Sequence, residues 1–211
     1  MGASLRVHTI SKYVDIYRIL WDARNNIFDS EKAAMKYIDN FPEFLLEKLH
    51  VIELAELQTN SACLDISTGA GLLPALLRLD GHTVHTTDIP NALCDLDPEF
   101  NNEPEYVQIR KMLEVDIDFR LDVQKQKPLD LKQRYDCIFS TRIVFSKATD
   151  DRVWNADDIK FFVNNLLDYS DKAVLKWNYS RVPNHLQDVL VPYLTDSQFI
   201  NGTITKHTEK I

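Results

Sequence analysis

Between residues 62 and 71 the chain reads ACLDISTGAG, a short apolar run that breaks into a glycine-bearing loop, and a helical pattern follows from about Leu72 to Leu79. Only 5 glycines occur in the 211 residues. Gly69 and Gly71 are therefore informative where they stand. Glycine lets a backbone reach positive φ and come close to a ligand, and the start of a helix presents N–H groups with no partner inside the helix. A strand, a glycine turn and a helix in this order predict a ligand-binding corner of an α/β sheet.

The rest of the chain repeats the alternation. Before the loop, residues 11–24 carry apolar positions at helical spacing, a second helical pattern runs from about Ser30 to Asn40, and 43–58 reads as a third helix. After it come short β-branched or apolar runs at 83–87, 119–123, 135–140 and 173–177. Helical patterns lie within 91–116 and at 156–168 and 184–194. Near the end, Asn201-Gly202 between apolar and β-branched residues is a hairpin signal. Short apolar strands alternating with helices predict a mostly parallel sheet covered on both faces. Ligands in such sheets lie outside the carboxyl ends of the strands.

Composition narrows the function classes. Hydrophobic residues at 45% and charged residues at 27% fit a globular protein of one main domain. A net charge of -8 gives no general attraction to phosphate backbones or anionic membranes, so neither a nucleic-acid partner nor a membrane is expected. No apolar run approaches the roughly 20 residues of a membrane span, and MGASLR resembles no signal segment, so the cytoplasm is the expected compartment. Cys63, Cys94 and Cys137 have no metal-ligand spacing, and no metal is expected. Cys63 and Cys137 sit in apolar runs and read as buried, reduced thiols.

Asp88 ends the second strand, 17 positions after Gly71. A carboxylate there can accept hydrogen bonds from both hydroxyls of a ribose, and its alternative reading is a helix cap or turn residue. Together with the loop it points to an adenosine-containing cofactor. Two residues discriminate among such cofactors. The nicotinamide fingerprint Gly-x-Gly-x-x-Gly has Pro74 at its third position here. Asp65, entering the turn, would repel a pyrophosphate but attract the ammonium and sulfonium of S-adenosylmethionine.

The ordered set ACLDISTGAG, TTDIP, FRLDV, YDCIFSTRIVF and AVLKWN resembles that of class I S-adenosylmethionine-dependent methyltransferases over roughly residues 60–180. Ser67 stands where that family usually has its first loop glycine. The resemblance implies an α/β, Rossmann-like three-layer sandwich with a mostly parallel sheet. Here it carries an N-terminal helical extension (1–60) ahead of the cofactor-binding domain (61–211). It assigns Asp65, Ser67, Thr68, Gly69 and Gly71 to the methionine and ribose end of S-adenosylmethionine and its product S-adenosylhomocysteine. Asp88 would take the ribose hydroxyls, Ile89 the adenine face, and Asp122 with Val123 the adenine edge; Ser140 and Thr141 would border the methionine end. For Asp122 the alternative is a solvated strand end.

Methyl transfer from a sulfonium needs alignment and desolvation more than a covalent nucleophile, so no catalytic residue is assigned. Arg142 and Asn178, each after a strand, are candidates for the acceptor side, against readings as a surface arginine and a turn residue. Tyr13 and Tyr17, about one helical turn apart, are candidates from a lid, against simple core packing. The expected activity is transfer of a methyl group to O or N of a small molecule. A binder of the cofactor without turnover is the alternative, and a nicotinamide-dependent oxidoreductase is disfavoured. The helical extension is expected to serve as a lid, a homodimer interface or both.

Overall fold

A computed structural model of the chain describes residues 13–22, 24, 36–88, 105–141, 154–176 and 201–205. Helix α1 spans 13–22, followed by α2 (Lys36–Asp39) and α3 (Phe41–Ala55). The sheet begins at β1 (Ala62–Ile66) and continues through α4 (Leu72–Leu79), β2 (Thr83–Asp88), α5 (Glu105–Met112) and β3 (Phe119–Arg120). Then come β4 (Cys137–Thr141), α6 (Ala156–Tyr169), β5 (Lys172–Lys176) and β6 (Asn201–Thr205). Pro42 lies in the first turn of α3, where a missing N–H costs nothing. An Asn155–Asp158 capping box starts α6: each side chain accepts from the other residue's backbone N–H, at 2.9 and 2.8 Å.

The six strands run in the order β3-β2-β1-β4-β5-β6. Pairings among the first five are parallel, and β6 lies antiparallel against β5. This is the mostly parallel sheet expected from the alternating pattern. Side chains alternate across it with period two. Cys63, Cys137, Phe139 and Val174 pack with Val51 and Ala55 of α3 and Leu73 and Leu77 of α4 on one face. Leu64, Ile66, Ile138, Ala173 and Leu175 pack with Ile159, Phe162, Val163, Leu166 and Leu167 of α6 on the other. The result is a Rossmann-like three-layer α/β sandwich. A further apolar cluster joins α1, α2 and the start of α3 to α4 and α5, with Tyr13, Ile16, Leu20, Ile38, Phe41, Leu76 and Ile109 buried in it.

Two expectations are corrected. The strand expected at 119–123 is only Phe119–Arg120, paired with Thr87 and Asp88 of β2, and the carbonyl of Asp88 takes the N–H of Leu121. Asn201-Gly202 is no hairpin turn. Both residues lie inside β6, Asn201 opposite Lys176 and Gly202 opposite Leu175, so tertiary pairing overrides the local turn preference. The helix expected at 184–194 lies outside the described residues.

Candidate functional site

The strand order reverses direction between β1 and β4. Crevices at such a switch point, outside the carboxyl ends of the strands, are where ligands bind in this architecture. A cavity of about 170 Å³ opens there, lined by Asp65, the loop Ser67–Gly71, Leu72 and Leu73, by Thr141 from β4, and by Phe44 and Lys48 from α3.

The loop owes its shape to three left-handed residues, Ser67 (φ 63°), Gly69 (φ 56°) and Gly71 (φ 81°). It is pinned by Thr68 N–H to Thr87 O at 2.9 Å, Thr68 Oγ1 to Asp65 O at 3.2 Å and Gly71 N–H to Thr68 O at 3.1 Å. The two glycines serve different ends. A Cβ on Gly71 would meet Arg110 Cγ at 3.0 Å and Val115 Cβ at 3.2 Å, so its bareness is needed for packing under α5. A Cβ on Gly69 would meet nothing closer than Ser67 O at 3.9 Å, so that backbone is open to close approach.

Asp65 is the electrostatic centre. Its side chain faces the α3 side of the sheet and is 1% exposed, and its Oδ1 has no hydrogen-bond partner among the described residues. Burial pushes its carboxyl up to about 7, against the pull of the Lys48 ammonium and the Thr68 hydrogen bond, with the Asp88 charge adding to the rise. Lys48, 8% exposed, donates to Thr141 Oγ1 at 3.1 Å and lies 3.4 Å from Glu47 Oε1. Glu47 Oε2 in turn is 2.9 Å from Lys176 Nζ at the end of β5. A row of alternating charge, Lys176, Glu47, Lys48 and Asp65, thus crosses the carboxyl ends of β5, β4 and β1.

The remaining expected residues divide. Asp88 ends β2, and one of its oxygens is 3.2 Å from an Arg110 guanidinium nitrogen that also donates to Gly69 O at 2.5 Å. Arg110 therefore lies across the loop on the side where a ribose is expected. Asp122 and Val123 lie in the irregular segment after β3 and are not in the cavity wall; Asp122 accepts from Gln124 Nε2, and Val123 packs on the α6 side. Ser140 is buried but does not line the cavity. Thr141, one residue on, has the parity of Cys137 and Phe139 and faces α3.

Neither tyrosine reaches the cavity. Tyr13 is 2% exposed with its hydroxyl 3.5 Å from Asp80 at the opposite end of α4, and burial raises it to about 12. Tyr17 packs its ring 5.2 Å from Phe41 and 5.8 Å from Trp21. Both make packing contacts among the described residues. Ile89, Arg142 and Asn178 lie outside the described residues.

Lys48, Phe44 and Arg110 were not expected from the sequence. For Lys48 a signal existed. It falls on the stripe Phe41, Phe44, Lys48, Val51 and Ala55, a lysine at helical spacing among residues that turn inward. Nothing in YVQIRKML singles out Arg110.

No protein-family model matches the sequence, and no curated protein is significantly similar to it. Solved structures do match. One is the Thermoplasma acidophilum protein 1320, at 14% identity and a TM-score of 0.45, over 85% of this chain and 76% of that one. A second is magnesium protoporphyrin IX methyltransferase from Synechocystis PCC 6803, solved with bound S-adenosylhomocysteine, at 14% and 0.44 over 83% and 71%. A third is ribosomal protein L11 methylase from Lactobacillus delbrueckii subsp. bulgaricus, at 15% and 0.41 over 71% and 68%. Two of these three are methyltransferases by name.

Proposed function

We propose that the chain is an S-adenosylmethionine-dependent methyltransferase acting on O or N of a small-molecule acceptor. One observation carries the cofactor reading. A carboxylate 1% exposed, with one oxygen unpartnered among the described residues, stands in the wall of a glycine-loop cavity at the switch point of a parallel sheet. A buried acceptor of this kind is costly unless a donor meets it, and a cationic donor meets it best. The pyrophosphate of a dinucleotide would meet it with like charge.

The residues present fit the cofactor's amino-acid end. Asp65 would hold the ammonium. The open backbone at Gly69 allows close approach, and Ser67, Thr68 and Gly71 shape the turn around it. When bound, S-adenosylmethionine supplies a methyl group made electrophilic by its sulfonium. The chain's part is to bind, orient and exclude water. A cavity of about 170 Å³ is smaller than the roughly 300–1,000 Å³ of a complete small-molecule site. The nucleoside end would extend toward Asp88, with ribose hydroxyls replacing the guanidinium of Arg110 on that carboxylate. Ile89, Asp122 and Val123 remain the proposed adenine contacts, and Arg142 and Asn178 the proposed acceptor contacts.

Titration calorimetry with S-adenosylmethionine, S-adenosylhomocysteine and NAD in parallel tests the reading. Micromolar binding of the first two and none of NAD is expected; binding of NAD alone, or of nothing, overturns it. An acceptor screen on the binding-competent protein then tests turnover, and binding with no turnover on any acceptor would leave a cofactor-binding protein instead.

A further inference from the structure

The cavity stops short of the residue proposed to hold a ribose. Its wall includes Gly69, Ala70 and Gly71 but, among the described residues, not Asp88. Arg110 stands between the two. One guanidinium nitrogen donates both to Gly69 O at 2.5 Å and to Asp88 at 3.2 Å, so a single cation spans from the cavity wall to the end of β2. The Arg110 side chain is 13% exposed. Its stem runs over Gly71, where a Cβ would meet Arg110 Cγ at 3.0 Å, so the second loop glycine makes room for this arginine. The backbone beneath is anchored. Ile109 and Val115 are buried in the cluster that joins α1 to α4 and α5, and the Arg110 carbonyl accepts from Val115 N–H at 2.9 Å. Moving the guanidinium aside therefore needs rotation about side-chain torsions and no shift of α5.

The geometry points to Arg110 as an internal plug of the nucleoside half of the site. With the guanidinium in place, Asp88 is engaged and the cavity ends at the loop. A nucleoside enters by exchange: its ribose hydroxyls donate to Asp88 as the guanidinium swings out. The inference rests on the S-adenosylmethionine reading and adds a closed state to it. It also accounts for a cavity smaller than a complete ligand site. A site open in only a fraction of molecules binds more weakly by that fraction. This arginine thus lowers affinity, the reverse of a cation that touches the ligand.

Calorimetry with S-adenosylhomocysteine, on the wild-type protein and Arg110→Met, reads the sign of the effect. This ligand carries no net charge, so relief of repulsion between two cations does not enter. Methionine keeps the Cγ that packs over Gly71 and removes the guanidinium. The variant is expected to bind about threefold to tenfold more tightly, the gain from a site open in roughly a tenth to a third of wild-type molecules. Equal or weaker binding by a variant whose urea midpoint matches wild type overturns the plug and leaves the cofactor reading standing. No binding by either protein removes both readings. Where the variant is unfolded or destabilised, phenylglyoxal labelling of the wild-type protein decides, read at Arg110 by peptide mass. S-adenosylhomocysteine is expected to raise the labelling rate there, because the displaced guanidinium enters solvent. Protection of Arg110, or an unchanged rate, overturns the plug.

Discussion

Asp65 makes a prediction that depends on acidity alone. Its carboxyl titrates near 7 in the folded chain, against an ordinary value of 3.8. Between about pH 4 and 7 the folded state therefore holds a proton that the unfolded state has released. Stability from this group falls as pH rises across that window and is level on either side of it. The swing is bounded at roughly 4 kcal/mol. Asp65→Asn should lose the fall, so the gap in urea midpoint between variant and wild type should widen in the variant's favour from pH 5 to pH 8. A constant gap would show that the carboxylate is solvated. The position of the same residue was legible in the sequence because it is local: it enters a glycine turn, and only nearest neighbours in the chain are needed to see it. Lys48 was not, since its place beside Asp65 depends on how α3 lies on the sheet. Ser140 and Thr141 were read together because a strand's alternation is visible in sequence while its phase, which decides the face, is set by the neighbouring strand.

Elements followed the sequence where their own pattern was strong and departed where a partner decided. The helix at 156–168 emerged as Ala156–Tyr169, with its buried stripe of Ile159, Phe162, Val163, Leu166 and Leu167. Its start rests on the reciprocal cap between Asn155 and Asp158, and Asp158 also accepts from Gln126 Nε2 at 3.0 Å. Asn155→Ala should cost about 1 kcal/mol, read as a shift of the urea midpoint with an unchanged slope; no shift would mean that burial of the stripe alone holds the first turn. The strand at 119–123 is two residues long, paired with the last two residues of β2, and Asn201-Gly202 was drawn into a ladder by β5. Pairing partners far along the chain settled both cases, and no window of adjacent residues contains them.

At the scale of the molecule, the division at residue 60 separates parts that share one interior. Val51 and Ala55 of α3 are fully buried with Cys137, Phe139 and Val174 of the sheet, and Lys172 Nζ donates to Ala55 O at 2.6 Å. A chain beginning at residue 61 would expose that face of the sheet. It should lack a cooperative urea transition by near-ultraviolet circular dichroism, whereas a sharp transition would make the extension a separable lid. At the middle of the shared interior, Cys63 and Cys137 stand opposite each other across β1 and β4, both at 1% exposure or less. Burial pushes the Cys63 thiol up to about 12 and the Cys137 thiol well above its usual range. Since the thiolate is the reacting form, neither sulfur is alkylated while these strands stay paired. Labelling at these two positions, followed by peptide mass, is thus a clock for how often the centre of the molecule comes apart, and any ligand that binds only the closed form slows that clock in proportion to its occupancy.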